Sequence, residues 1–319
     1  MSILSRFLRS LSAEPAPEAS ELERLAEIER RLGYVQQLAA LELDMRVAAE
    51  VRALLAEPRY GAPGRLERHG FKVWSQNDED GILEEIFRRI GVARPGQPGS
   101  FVEFGVSDGR ECNTVKLLIQ GWSGLWMESS AEFCERMRRI FAAPLADGRL
   151  ELLQTAVSVE NVDALIAGAR VAAAGELDLL SIDIDGNDYH VLKAIKSVRP
   201  RVVVIEINGK FPPPMDVVQP YDPALTWDGS DFGGASLQAM TNLAARLGYR
   251  LVGTNITGVN AFFVRADLAG GRFAEGDAAA LYNPARIWLT PGFVAGHPTR
   301  ERFGYTSDAA IERALKGKP

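Results

Sequence analysis

Between Phe71 and Arg265 the sequence alternates short apolar runs with amphipathic stretches, and this alternation constrains the fold more than any other feature. The apolar runs have the length of strands, and the stretches between them repeat apolar residues at helical spacing. Strands that alternate with helices in this way pair in parallel, because each helix carries the chain back to the starting end of the sheet. The sequence therefore predicts an α/β fold whose mostly parallel sheet is covered on both faces.

Seven strands are predicted from the apolar runs: Ser100–Phe104, Gly124–Glu128, Leu150–Ala156, Asp178–Asp183, Val202–Glu206, Tyr249–Thr254 and Ala261–Arg265. Helices are predicted at Asp80–Ile90, Cys112–Gln120, Ala131–Phe141, Val162–Ala169, Tyr189–Ile195 and Ser236–Leu247. The last two strands are close in sequence and should pair antiparallel as a C-terminal hairpin. Such a hairpin at the end of a Rossmann-like sheet distinguishes one group of nucleoside-binding folds from ordinary dinucleotide-binding domains.

Composition divides the chain into four parts. Residues 1–19 end in a proline-rich linker and are predicted to be a flexible N-terminus. Residues 20–57 form one long amphipathic helix, which Pro58 and the following glycines end. Residues 66–275 form the domain with the sheet, and residues 276–319 are a C-terminal extension.

The long N-terminal helix carries apolar residues at a spacing of three and four: Leu22, Leu25, Ile28, Leu32, Val35, Leu38 and Met45. An apolar stripe of this length must be buried, either against a second copy of the chain or against the main domain. A strict heptad fails at Glu42 and Arg46, which stand where core residues are needed. The pattern favours a homo-oligomer formed through this helix and leaves packing within one chain as the alternative.

Composition also argues against several classes of function. The 36 basic and 42 acidic residues give a net charge of −6 without a basic run, so no nucleic-acid partner is expected. Cys112 and Cys134 are too few for a disulfide framework and lack metal-ligand spacing, which predicts buried free thiols in a reducing compartment. No apolar run reaches the length of a transmembrane segment and no signal peptide is evident, so the expected location is the cytoplasm.

The stretch Phe101–Gly109 has the pattern of a buried strand that ends in an acid, Glu103, and a glycine-rich turn. Gly105 and Gly109 allow the sharp turn and the close approach of a ligand to the main chain. Ser107 stands where the dinucleotide fingerprint needs a glycine beside the pyrophosphate. The turn therefore predicts a nucleoside pocket without a diphosphate cradle, with a purely structural turn as the alternative.

Glu128 ends the next predicted strand, about twenty residues beyond the glycines, where an acid commonly binds a ribose. A carboxylate at this position can accept hydrogen bonds from both ribose hydroxyls. The alternative is an exposed charge at the end of a strand.

Asp183, Asp185 and Asp188 follow the fourth predicted strand, while Glu206 and Asn208 end the fifth. Carboxylates this close together repel one another unless a cation or hydrogen bonds compensate the charge. The ends of neighbouring parallel strands share one edge of the sheet. We therefore expect Asp183, Glu206 and Asn208 to converge there as a set of oxygen ligands.

His190 lies nearest these acids and is the predicted general base for a substrate hydroxyl, with a structural histidine as the alternative. Residues 208–234 form a loop too long for an ordinary connection, and long loops after strands often carry function. Four side chains of this loop are suited to stack on or hydrogen-bond a sugar: Tyr221, Trp227, Asp228 and Asp231. A lid that only packs is the alternative.

Five segments together resemble the FkbM-type class I S-adenosylmethionine-dependent methyltransferases: Ser75–Gly81, Phe101–Gly109, Ser181–Asp188, Val203–Asn208 and Gly258–Phe263. The resemblance implies transfer of the methyl group of S-adenosylmethionine to an oxygen, commonly on a sugar, a polysaccharide precursor or a polyketide-derived natural product. It also implies the Rossmann-like sheet of that class and a small-molecule or glycan substrate.

The resemblance assigns roles to single residues. Glu103, Gly105, Ser107 and Gly109 would line the methionine and ribose parts of the cofactor together with Glu128 and Asp183. Ala156 and Val157, after the third strand, would contact adenine. Asp183 and Glu206 would join His190 in catalysis.

Metal-dependent O-methyltransferases hold Mg²⁺ with an acid after the fourth strand and an acid–amide pair after the fifth. Asp183, Glu206 and Asn208 are similar, although Ile207 separates the last two. Two other functions stay open from the sequence. Asp183 and Asp185 also resemble the acid pair of metal-dependent glycosyltransferases that use sugar nucleotides, and a non-catalytic nucleoside-fold scaffold is the second alternative.

Overall fold

The computed structural model describes residues 21–92, 98–173, 175–225 and 232–289, together with residues 312 and 315. Its centre is a seven-stranded sheet of order β3-β2-β1-β4-β5-β7-β6. The strands are β1 Ser100–Phe104, β2 Ser123–Glu128, β3 Leu150–Gln154, β4 Leu179–Ile182, β5 Val202–Glu206, β6 Tyr249–Thr254 and β7 Asn260–Arg265. Strands β1 to β5 pair in parallel, and β7 runs antiparallel to both β5 and β6, so six of the seven strands point in one direction. The predicted fold class and the C-terminal hairpin are confirmed.

Helices connect the strands and cover both faces of the sheet. They are α1 Glu21–Ala56, α2 Glu79–Ile90, α3 Val115–Ile119, α4 Ala131–Ile140, α5 Ala142–Ala146, α6 Val162–Ala167, α7 Arg170–Ala173, α8 Asp188–Ala194, α9 Leu237–Arg246, α10 Ala266–Ala269 and α11 Ala278–Leu281. Short 3-10 turns lie at Pro58–Gly61, Glu67–His69 and Ile287–Leu289. None of the helices in the described ranges is long and apolar enough to cross a membrane.

The side chains of each strand alternate between two apolar cores. In β1, Val102 and Phe104 enter one core while Phe101 enters the other, as the two-residue period of a strand requires. Both predicted free thiols, Cys112 and Cys134, are buried and unpaired as disulfides. Burial of both faces explains why the central strands consist of nearly continuous apolar residues.

The long helix α1 contributes almost nothing to these cores, and no residue of Glu21–Ala56 is buried. Only its last turns contact the domain, where Val47, Val51 and Leu55 pack near Tyr60 and Leu289. The first two thirds of the helix extend away from the described part of the domain with their apolar side chains exposed.

Part of the predicted C-terminal extension belongs to the domain. Asn283 is fully buried, and its side-chain amide donates hydrogen bonds to the Glu67 carboxylate and to Thr254 Oγ1. Tyr60, before the predicted domain start, donates a hydrogen bond to Asn283 Oδ1 at 2.6 Å. The structured domain is therefore wider than residues 66–275, since the segments around residues 60 and 283 pack together.

Candidate active site at the carboxyl edge of the sheet

The glycine-rich turn follows β1 at the carboxyl edge of the sheet. Gly105 is exposed and adopts φ +78°, and Ser107 adopts φ +52°, so both residues occupy the left-handed region. A Cβ built on Gly105 would lie 1.5 Å from the carbonyl oxygen of Asp183. Glycine is therefore required at position 105 because the β1 turn and the loop after β4 touch through their main chains.

Glu103 lies beneath this turn and is only 3% exposed. Its carboxylate accepts hydrogen bonds from the main-chain N–H of Asn113 at 2.9 Å and of Thr114 at 3.1 Å, and also from the hydroxyls of Thr114 and Ser181. All of these donors belong to the protein. The structure thus gives Glu103 the role of fixing the start of α3 against β1 and β4, in place of the predicted contact with a ligand.

Glu128 stands at the end of β2 beside the turn, as expected. Its Oε2 accepts a hydrogen bond from Ser107 N at 2.9 Å, and its Oε1 accepts one from Ser130 N at 2.8 Å and one from the Ser129 hydroxyl at 3.3 Å. A carboxylate has about four acceptor positions, so one, on Oε2, remains for a hydroxyl donor of a ligand. The hydrogen bond to Ser107 also explains how a residue other than glycine is held at a positive φ.

The segment after β3 lies on the other side of Glu128. Ala156 is exposed, and its carbonyl oxygen accepts a hydrogen bond from Asn161 Nδ2 at 2.9 Å. Val157 is half-buried against the core. An exposed small side chain beside an apolar one is compatible with the predicted contact with an adenine ring.

Three carboxylates converge where β4 and β5 end. Oxygens of Asp183, Asp185 and Glu206 lie within 4.8 Å of one another, so the three groups could hold one metal ion. Within the described ranges, no protein donor is hydrogen-bonded to any of these three side chains. Gly105 is in contact with the main chain of Asp183, which places this acid cluster directly beside the glycine turn.

The turn between Asp183 and Asp188 determines which acids face the cluster. Asp188 is buried, and its two carboxylate oxygens accept hydrogen bonds from Ile184 N and Gly186 N, each at 2.9 Å. Asp185 adopts φ +57°, an uncommon conformation that short polar side chains tolerate best. Asp188 therefore shapes the turn, and the left-handed residue brings Asp185 back towards Asp183.

Burial raises the pKa of both Asp183 and Glu206 well above the ordinary range of a carboxyl group. Repulsion adds to this effect, because Asp188 and Asp185 act on both groups and Asp183 acts on Glu206. A cluster with these properties retains a proton, or a cation, more readily than isolated acids do.

The sequence matches one known family. Residues 99–251 fit the family described as the methyltransferase FkbM domain. The chain carries an FkbM methyltransferase domain. This match supports a methyltransferase over a glycosyltransferase of the sugar-nucleotide type.

Two solved methyltransferase structures match this chain at low sequence identity. An O-methyltransferase family protein from Burkholderia thailandensis matches with 11% identity and a TM-score of 0.37, covering 59% of this chain and 57% of that one. The magnesium protoporphyrin IX methyltransferase of Synechocystis PCC 6803, solved with bound S-adenosylmethionine, matches with 12% identity and a TM-score of 0.33. That match covers 82% of this chain and 90% of the other. A search among curated proteins gave no significant match.

In the FkbM domain the long loop after β5 folds back over the turn between Asp183 and Asp188. Val218 and Ala235 form an isolated antiparallel bridge at the base of the loop. A Cβ on Gly186 would lie 2.6 Å from the side chain of Leu225, so the loop packs directly on the acidic turn. The loop therefore covers one side of the site.

Two residues that the sequence predicted as a metal ligand and a general base make hydrogen bonds within or to this loop instead. The amide of Asn208 donates a hydrogen bond to Gly233 O at 3.0 Å and accepts one from Lys210 N at 3.0 Å. His190 Nε2 lies 2.7 Å from Gln219 O, and because a carbonyl only accepts, this nitrogen must carry a proton. The contacts of Asn208 and His190 thus differ from those of a metal ligand and a general base.

Tyr221 also ties the loop to its surroundings. Its hydroxyl donates a hydrogen bond to Glu160 at 2.7 Å and accepts one from Val159 N at 3.3 Å, and its ring lies 5.5 Å from that of His190. The other predicted substrate-loop residues, Trp227, Asp228 and Asp231, lie outside the described residues.

One acid near the site was not predicted from the sequence. Glu79, at the start of α2, is fully buried and accepts hydrogen bonds from the side-chain amides of Asn255 and Asn260, both at 2.9 Å. Its charge contributes to the raised pKa of Asp183. Because Asn260 pairs in register with Glu206, the Glu79 contacts connect two of the segments that resemble the family. The presence of both Glu79 and Asn260 in segments that resemble the family was the sequence signal that could have identified Glu79.

Proposed function

We propose that this chain is an S-adenosylmethionine-dependent O-methyltransferase whose reactive edge is formed by Asp183, Asp185 and Glu206. The observation that carries the proposal is the position of this acid cluster directly beside the Gly105 turn. A methyl acceptor bound there would have a proton acceptor on one side and the cofactor site on the other. The family domain supports methyl transfer, and the acid cluster supports an oxygen acceptor.

The residues around the turn fit S-adenosylmethionine. Gly105 exposes main chain where the methionine part would lie, and the remaining acceptor position of Glu128 suits a ribose hydroxyl. Ala156 and Val157 would lie beside the adenine. The absence of a diphosphate cradle agrees with a cofactor that carries no phosphate. When bound, S-adenosylmethionine supplies an electrophilic methyl group on a sulfonium.

The acid cluster would remove the proton of the acceptor. As the acceptor oxygen forms its bond to the methyl carbon, the carbon–sulfur bond breaks and the hydroxyl proton passes to a carboxylate of the cluster. The raised pKa of Glu206 and Asp183 makes them stronger bases than ordinary carboxylates. We place the base here because His190 Nε2 already donates to Gln219 O.

A divalent cation such as Mg²⁺ could be held by the same three acids. Asp185 takes the place in this set that was predicted for Asn208, whose amide is used within the loop. Oxygen ligands of this kind suit Mg²⁺, which usually keeps several of its water molecules. Such an ion would lower the proton affinity of the acceptor hydroxyl.

We infer that the acceptor is a hydroxyl of a sugar, a polysaccharide precursor or a related natural product. The long loop over the acidic turn supports a bound small molecule or glycan, because it forms a covered wall beside the cluster. The resemblance of the chain to FkbM-type enzymes supports the same class of acceptor.

The test is to compare Glu206→Gln with wild type for cofactor binding and for methyl transfer. Glu275→Gln is the matched control, since Glu275 is exposed and far along the chain from the cluster. Calorimetry should show unchanged affinity for S-adenosylmethionine in both variants. Methyl transfer to a panel of hydroxylated sugars and natural products should fall by about 100-fold in Glu206→Gln alone, the usual effect of losing a general base.

Two further measurements separate the parts of the proposal. If wild-type activity is unchanged after chelation, the requirement for a metal is refuted and the carboxylate base stays. If calorimetry detects binding of neither S-adenosylmethionine nor S-adenosylhomocysteine, the proposed enzymatic function is refuted in favour of a non-catalytic scaffold. Equal activity of Glu206→Gln and wild type would refute the assigned reactive edge.

A further inference from the structure

The outer part of α1 exposes a continuous row of large apolar side chains. Leu25 is 52% exposed, Ile28 60%, Leu32 55% and Val35 46%. The same row continues through Leu38, Leu41 and Met45. In the described part of the chain nothing covers this row, whereas Val47, Val51, Leu54 and Leu55 at the end of the helix pack on the domain.

A helix of 36 residues that projects in this way needs support beyond its own hydrogen bonds. Intrahelical ion pairs join Glu27 to Arg30 and Arg31, but exposed pairs of this type stabilise a helix only slightly. Gly33 lies in the middle of the helix, where a Cβ added to it would meet no packing partner within 4 Å, and a glycine there lowers the helix propensity. Most helical stability in proteins comes from packing of an apolar face, so the row requires a partner surface.

The charge of this segment points to protein and away from lipid. Residues 21–46 contain six acidic residues and four arginines. Helices that lie on membranes carry an excess of basic residues on their polar face, which this helix lacks. A second copy of the chain supplies the same apolar row and a matching set of charges.

The charges beside the row specify how copies would be oriented. Leu25 and Leu32 occupy heptad position a, and Ile28 and Val35 occupy position d. In this register Arg24 falls at position g and Glu29 at position e. In parallel coiled coils, position g of one helix meets position e of the next heptad on its neighbour. Arginine therefore meets glutamate across the interface in the parallel orientation.

Arg24 and Glu29 are also available for such a contact. Both are exposed, and neither makes a hydrogen bond or ion pair within the described residues. We propose that α1 assembles copies of this chain into a parallel coiled coil, with Leu25, Ile28 and Leu32 in its core and Arg24 paired with Glu29 of the neighbouring copy.

The core pattern bears on the number of copies. Leucine at a with a β-branched residue at d favours three or four helices over two. After Val35 the apolar row continues at Leu38, Leu41 and Met45, each one residue earlier than the heptad would place its core positions, which corresponds to the loss of one residue from the heptad. The shifted row no longer places Glu42 and Arg46 in the core.

The test uses charge reversal in the full chain, measured by light scattering after gel filtration. Wild type should have a mass of several times 34.8 kDa. Glu29→Arg and Arg24→Glu each place like charges across the interface and should raise the dissociation constant by about tenfold or more. The double variant should restore the wild-type mass. Glu23→Arg, on the outer face at position f, is the matched control.

Loss of folding is a separate outcome that can be recognised. These side chains do not contact the domain cores, so the thermal transition of the domain should not change in any variant. A wild-type mass of one chain at every concentration would overturn the assembly. Equal masses of wild type and both single variants would overturn the parallel arrangement, as would a double variant that stays dissociated.

Discussion

Replacement of Gly105 by alanine tests whether the glycine turn is required by the ligand or by the fold. Gly105 adopts φ +78°, and an alanine in the left-handed region costs about 1–2 kcal/mol. Its Cβ would also lie 1.5 Å from the Asp183 carbonyl oxygen, so main chain must move. Overpacking of this kind adds about 1–3 kcal/mol. We therefore expect Gly105→Ala to lower the free energy of unfolding by about 2–5 kcal/mol, even without cofactor.

Gly121→Ala is the control that measures the conformational cost alone, so its difference from Gly105→Ala gives the contribution of overpacking. Gly121 adopts φ +93°, and a Cβ added there would meet no heavy atom within 4 Å, so its substitution carries only the conformational cost. Urea unfolding of both variants can be followed by the fluorescence of Trp122 and Trp126, which are buried in one core. Equal losses of stability in the two variants would refute the conclusion that the turn and the Asp183 main chain touch.

Three further predictions concern single carboxylates. The hydrogen bond from Arg88 lowers the pKa of Glu85 from 4.5 to about 2, so the pair stabilises the fold above pH 4.5 and this contribution is lost as the pH falls towards 2. Glu85→Gln should cost about 1–2 kcal/mol at pH 7 and little near pH 2, as measured by urea unfolding. In Glu103→Gln the side-chain amide N–H group would face the N–H and hydroxyl donors of Thr114. Urea unfolding should then show a free energy of unfolding lower by about 2–3 kcal/mol. Glu128→Ala should weaken S-adenosylmethionine binding at least tenfold by calorimetry, and unchanged affinity would contradict its assignment to the ribose.

Most of the fold was predictable from the sequence. The bounds of β1, β5 and β6 agree with the predicted strands, because buried strands in this fold consist mostly of apolar residues. Helix α3 is shorter than predicted and begins at Val115, because Asn113 and Thr114 donate their main-chain N–H groups to Glu103. A pattern of neighbouring residues cannot predict these hydrogen bonds, because their acceptor lies in a different strand.

The candidate site was predictable only in part. The sequence placed Asp183 and Glu206 together, because carboxyl ends of neighbouring parallel strands meet at one edge. It did not predict that Asp185 joins them. That choice depends on a left-handed residue in the turn and on the two hydrogen bonds that Asp188 accepts.

The order of strands and helices along the chain, the glycine turn and the acids at the ends of β4 and β5 were all predictable from the sequence. These features depend on local spacing and on the topology of parallel sheets. Three features could be seen only in the folded structure: protein donors satisfy the Glu103 carboxylate, the Asp183 main chain requires glycine at position 105, and the amide of Asn208 faces its own loop. The direction of a side chain at the end of a strand depends on contacts with segments that are distant in sequence. A buried polar group must also find a hydrogen-bond partner, so the partners available in the folded chain fix its orientation.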